Sequence, residues 1–108
     1  MSDHHAPEQV ILHITTAAAW TDALATGRYD ADSLATEGFI HCSVPAQLDW
    51  VLDRHFKERS GLIVLHIDVA KIPAEIRYEN LEGGTQLFPH VYGPIPCAAV
   101  VNVMPLLG

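Results

Sequence analysis

Apolar residues along the chain follow two periods, and each period marks a different kind of element. Val10 to Ile14 (VILHI) has the length and β-branched content of a strand. Alternation sets Ile11, His13 and Thr15 on one face and Val10, Leu12 and Ile14 on the other, so His13 interrupts an apolar strand. Thr15 or Thr16 can then cap a helix in which Trp20, Ala23 and Leu24 fall at i, i+3, i+4, and Gly27 stands where such a helix stops. After the turn-like Arg28 to Ser33, Gly38 to Ser43 (GFIHCS) predicts a second strand. Phe39, His41 and Ser43 share one of its faces, and Ile40 and Cys42 the other. Pro45 opens a helical pattern that continues with Leu48, Val51, Leu52, His55 and Phe56. Leu62 to Val69 (LIVLHIDV) is the clearest strand, and its start is apolar on both faces, which predicts a central place in a sheet. Ile76 to Leu81 predicts another strand, Gly83-Gly84 a turn before Thr85 to Phe88, and Ala98 to Met104 a final strand.

Strand, helix, strand, helix and then mostly strands fits an α+β class with a mixed or antiparallel split sheet and two to three helices better than repeated βαβ units. A chain of 108 residues has room for one core, so residues 10–108 form a single domain behind a disordered tail of residues 1–9, which contains His4 and His5. The composition, 49% hydrophobic and 18% charged, is that of a globular protein. A formal charge of −7 with six scattered Lys and Arg leaves no basic stripe, which excludes a nucleic acid polymer and an anionic membrane as expected partners. No apolar run approaches the roughly 20 residues of a spanning helix, and the first residues have no apolar leader core, so cytoplasmic residence as a monomer or weak dimer is expected. Cys42 and Cys97 are expected as reduced thiols packed as small apolar groups.

Histidine placement changes the picture from a generic domain to one with a candidate pocket. His13 and His41 stand where the pattern expects Val or Ile, and a buried imidazole must find hydrogen-bond partners. Phe88 to Pro94 (FPHVYGP) sets His90 and Tyr92 among two prolines that restrict the backbone, as expected of a rigid loop holding a surface or of a packed turn. Either each histidine is a satisfied core residue, or His13, His41 and His90 share one pocket; the three together favour the pocket. A three-histidine zinc site is the metal alternative, without a supporting motif spacing, so no metal ligand is assigned. Cys-His catalysis is disfavoured because alternation turns Cys42 away from His41. Ser43 either lies on the His41 face or caps the next helix. Glu79 and Glu82 are the acids nearest FPHVYGP, able to orient a histidine or a ribose hydroxyl or simply solvated.

The segment ILHIT, Trp20, Gly27 with Tyr29, EGFIHCS from Glu37 to Ser43, Glu79 and FPHVYGP together resemble domain-of-unknown-function family 952, over roughly Ile11 to Val103. The resemblance implies a fold similar to ADP-ribosyltransferases, two small sheets around a cleft that holds NAD. In that superfamily a first-strand His or Arg anchors the ribose, a middle strand with an aromatic or Ser motif lines the nicotinamide, and a late Glu activates the acceptor. His13 matches the first element and Phe39 to Ser43 the second; Glu79 and Glu82 match no recognisable ADP-ribosylating turn. The resulting expectation is a pocket for a small-molecule ligand, nucleotide-like and with NAD as the cofactor implied by fold. Catalytic roles fall to His13, His41, His90 and Glu79, and ligand contacts to Thr15, Phe39, Ser43 and Tyr92. A transferase is one outcome, a non-catalytic metabolite- or protein-binding module another, and a His-ligated metal site a third.

Overall fold

The computed structural model describes residues 9–80 and 84–106. Its elements are β1 (Val10–Thr16), α1 (Ala17–Thr26), β2 (Arg28–Tyr29), α2 (Asp32–Glu37), β3 (Ile40–His41), α3 (Leu48–His55), β4 (Leu62–Asp68), β5 (Ile76–Glu79), β6 (Phe88–Val91), β7 (Ile95–Pro96) and β8 (Val100–Pro105). Residues 1–8, most of the expected tail, and Leu81, Glu82 and Gly83 lie outside the described residues.

Three antiparallel sheets arise, ordered β1-β4-β8, β2-β7 and β3-β6-β5, so the mixed alternative gives way to a fully antiparallel α+β domain among the described residues. β4 lies between β1 and β8, as its two-sided apolarity requires, and Leu62, Ile63, Val64 and Leu65 are all buried. One face of this sheet presents Ile11, Ile63, Leu65 and Ile67 to a core shared with Ile40, Cys42, Val91 and Ile95. The other face presents Leu12, Ile14, Leu62 and Val64 to α3, through Leu48, Val51, Leu52 and the following Phe56. That apolar stripe on α3 is the one its helical spacing predicts.

α1 forms between the two caps the sequence offers. The Thr16 hydroxyl accepts the Ala19 N–H at 3.1 Å, and Gly27, at φ 81°, donates its N–H to the Ala23 carbonyl. α2 begins inside the expected turn-like segment, at Asp32 and Ser33, and runs on to Glu37. It is a six-residue helix closed by Gly38 at φ 88°, and its one strongly apolar side chain, Leu34, is too little for a periodic signal.

The expected loop at FPHVYGP is also corrected. Phe88–Val91 is β6, the middle strand of its sheet, despite Pro89. Proline removes a donor, not an acceptor, and Pro89 serves the ladder by accepting the Cys42 N–H at 3.0 Å. The second predicted strand shrinks to Ile40–His41, followed by a bridge in which Leu12 and Ser43 exchange two backbone hydrogen bonds of 2.7 and 2.8 Å. This bridge joins the β1 sheet to the β3 sheet. Among the described residues no helix is long and apolar enough to cross a membrane.

Candidate functional site

His13 is a fastener between the two sheets. Its Nδ1–H donates to the His41 carbonyl at 2.6 Å, and its Nε2 lies 2.8 Å from the Tyr29 hydroxyl, which is 2.9 Å from Thr15 Oγ1. Burial pushes the imidazole down to about 4, against the raising effect of the carbonyl bond, so the ring is neutral. A neutral ring with Nδ1 protonated needs a donor at Nε2; Tyr29 supplies its proton there, and Thr15 donates to the Tyr29 oxygen. Both nitrogens of His13 are therefore committed inside the protein. Through these bonds His13 holds the His41 backbone in place, and neither nitrogen is open for the ligand-anchoring or acid/base role expected of it.

Register brings the other two histidines together. His41 on β3 stands opposite His90 on β6, and His90 stands opposite Arg77 on β5. Cross-strand partners share a face, and the rings of His41 and His90 meet edge to face at 5.4 Å. Phe39, from the same face, stacks on His90 at 4.2 Å and meets the edge of His41 at 4.8 Å. Each histidine has its own carboxylate. His41 Nε2 lies 3.1 Å from both oxygens of Glu37, which closes α2 one turn earlier. His90 Nδ1 lies 2.9 Å from Glu79 Oε1, which also accepts the Tyr92 hydroxyl at 2.6 Å. The Tyr92 and His90 bonds hold the Glu79 carboxyl below its usual range and push the Tyr92 phenol up. Arg77 completes this shell, its guanidinium 4.5 Å from the centre of the Tyr92 ring.

A cleft of about 540 Å³ opens on this face. His13, His41, His90, Phe39 and Ser43 line it, while its far wall is Trp50, Val51 and Phe56 from α3 and its end, with Phe88 and Arg59. Ser43 is 3% exposed, and its hydroxyl has no partner among the described residues; nor does Nε2 of His90. The cap reading of Ser43 is corrected. Val44 precedes the turn, and its N–H is held by Gln47 Oε1 at 3.0 Å.

Three expected contacts lie elsewhere. Thr15 faces Tyr29 and a smaller depression with Asp30 and Asp32, Tyr92 is turned to Glu79, and Glu79 touches the cleft only through His90. His41 was expected to point inward like His13, yet its side chain is 49% exposed, at the cleft mouth. Among the described residues no three His, Cys, Asp or Glu side chains could hold a metal ion, so the zinc alternative finds no donor set. Cys42 borders the cleft as a neutral thiol, its ionisation pushed up by burial, and neither it nor Cys97 is in a disulfide.

Sequence reasoning missed Glu37, Tyr29, Trp50 and Arg59. The i, i+4 spacing of Glu37 and His41 was a usable signal; the pairing of Tyr29 with His13 spans 16 residues and had none.

The solved crystal structure of protein CC0527 from Caulobacter crescentus superposes with a TM-score of 0.77 at 27% identity, covering 87% of this chain and 82% of that one. Its solution NMR structure gives the same score and identity over 91% and 84%. No curated protein matches the chain. The model of the family described as protein of unknown function (DUF952) matches residues 14–103, nearly all of the folded chain, which therefore belongs to that family.

Proposed function

We propose that the cleft binds a small nucleotide-like ligand, with His41 and His90 as its acid/base groups. The observation that carries this is a pair of polar atoms left open on one apolar cleft, the buried Ser43 hydroxyl and Nε2 of His90. A buried polar group without a partner costs about 1–3 kcal/mol, so it persists where a ligand can use it. Trp50 and Phe88, tilted with ring centres 5.5 Å apart, offer a wall for a planar ring, and Arg59 offers one cation for an anionic group.

An ADP-ribosyltransferase-like arrangement, two sheets on either side of a cleft, belongs to the same proposal. NAD itself does not fit the donor set well: a pyrophosphate brings two charges, and among the described residues Arg59 is the one Lys or Arg in a lining that also carries the carboxylate of Glu37. A nucleoside or nucleoside monophosphate matches better. Glu79 is spent on His90 and Tyr92, so among the described residues it does not stand free for the late-Glu role that ADP-ribose transfer needs.

A thermal-shift panel of AMP, ADP, NAD and inorganic phosphate tests this. A ligand at a hundredfold excess over its Kd stabilises by about 2.7 kcal/mol, several degrees for a domain of this size. AMP should give the largest shift, reduced in Arg59→Ala and Trp50→Ala. A flat panel, or shifts that both substitutions leave intact, would place the ligand site elsewhere.

A further inference from the structure

We infer that His90 and His41 are a complementary base and acid for hydrolysis of a small phosphodiester, a step that rests on the nucleotide-binding reading above. Cross-strand pairing gives this cleft two histidines, each with its own carboxylate, rather than one dyad. The two carboxylates hold their rings differently, and the difference assigns the roles.

Glu79 takes the Nδ1 proton of His90 while Tyr92 donates to the same oxygen. His90 is 4% exposed and its Nε2 lone pair is the atom left over, so it can only accept: a general base. Glu37 instead places both oxygens 3.1 Å from Nε2 of the half-exposed His41, so Nε2–H is held by Glu37 and Nδ1 is the atom that can carry a proton to a leaving oxygen. The rings touch edge to face with centres 5.4 Å apart, close enough for both to reach one phosphate bound beside them in the cleft. Among the described residues, the charged and titratable groups around the pair are His13 on β1, Glu37 on α2, Cys42 after β3, Glu79, Arg77 and Tyr92 on the β5 and β6 side, and His55 and Arg59 from the far wall. Arg59 supplies the charge, and the open Ser43 hydroxyl a hydrogen bond, for non-bridging phosphate oxygens.

A reaction that uses both roles in one step takes a proton from an attacking oxygen and gives one to a leaving oxygen. In phosphodiester hydrolysis, water forms the new P–O bond while its proton passes to Nε2 of His90. The P–O bond to the alkoxide breaks, and the departing electron pair takes the Nδ1 proton of the His41 imidazolium. Proton exchange with solvent then restores both rings. Ester and water are the only reactants, and a phosphate monoester with its alcohol is the product.

Leaving-group dependence separates acid from base. The probes are 2′,3′-cyclic AMP, whose alkoxide must be protonated to leave, and bis(p-nitrophenyl) phosphate, whose phenolate leaves unprotonated. The unmodified protein should hydrolyse both. His41→Gln should slow the cyclic ester by about 10²–10⁴-fold, the usual worth of a general acid, and the nitrophenyl ester by less than about tenfold. His90→Gln should slow both by about 10²-fold or more, and because His90 is buried, Glu79→Gln provides a second variant that should slow both through misorientation of the ring. Equal losses on both probes in His41→Gln would overturn the acid assignment. Failure to hydrolyse either probe while AMP still raises the melting temperature would overturn this inference and leave ligand binding standing. No melting shift with any nucleotide and no hydrolysis would overturn both.

Discussion

Acidification from about pH 7 to about pH 4.5 should destabilise this protein by about 2.5 kcal/mol through His13 alone. The imidazole falls from 6.5 to about 4 on folding, chiefly because burial disfavours its charged form. The unfolded chain therefore takes up the proton first. Stability from this residue is full above the unfolded value of about 6.5, declines as pH falls toward about 4, and has no further to fall below that. Each unit between the two values is worth about 1.36 kcal/mol, and most of the window is crossed by pH 4.5. Urea unfolding followed by the fluorescence of Trp20 and Trp50 at the two pH values measures the effect. His13→Gln should be less stable at neutral pH, by about 1–3 kcal/mol, because the His41 carbonyl and the Tyr29 hydroxyl lose their fitted partner. Its loss on acidification should be smaller than that of the unmodified protein by about 2.5 kcal/mol. Carboxylates such as Glu79 titrate in both proteins and cancel in the comparison. Parallel losses would refute the neutral, doubly bonded His13.

Three other predictions test the scaffold around the cleft. A Cβ at Gly93 would sit 2.8 Å from the Ala74 Cβ, so Gly93→Ala should cost about 1–3 kcal/mol in thermal unfolding, and Ala74→Gly should recover part of it. In the native state a thiol-specific reagent should modify Cys97 before Cys42, because Cys42 is the more deeply buried thiol and burial pushes its ionisation up the more; equal rates would contradict the packing of the shared core. Tyr92→Phe removes the main cause of the lowered Glu79 carboxyl, so its titration, followed by carbon NMR, should move up toward the ordinary carboxylate range; an unmoved titration would contradict the Tyr92–Glu79 bond.

Where one element made its own signal, the fold was legible in the sequence. The two caps of α1, the amphipathic face of α3 and the two-sided apolarity of β4 all appear in the structure as read. α2 escaped because six residues with one strongly apolar side chain show no period. β6 escaped because proline argues against a central strand, and only the partner strand reveals that Pro89 is needed there as an acceptor. The histidines were conspicuous as interruptions, yet their roles depend on long-range pairing. His13 and His41 look equivalent along their strands, but one is closed on both nitrogens by Tyr29 and a carbonyl and the other stands at a solvent-exposed cleft mouth. Tyr92 and Glu79 belong to the site through His90 rather than by facing the cleft, a distinction no spacing encodes.

Nuclear magnetic resonance during titration with AMP tests the central claim, a ligand cleft at the junction of the two sheets, most directly. Side-chain resonances of His41 and His90, the Ser43 amide and the Trp50 indole should shift together along one saturating curve, with Asn102 and Leu24 unmoved on the outer surface. Shifts gathered instead at Thr15, Asp30 and Asp32, or none at saturating nucleotide, would contradict it.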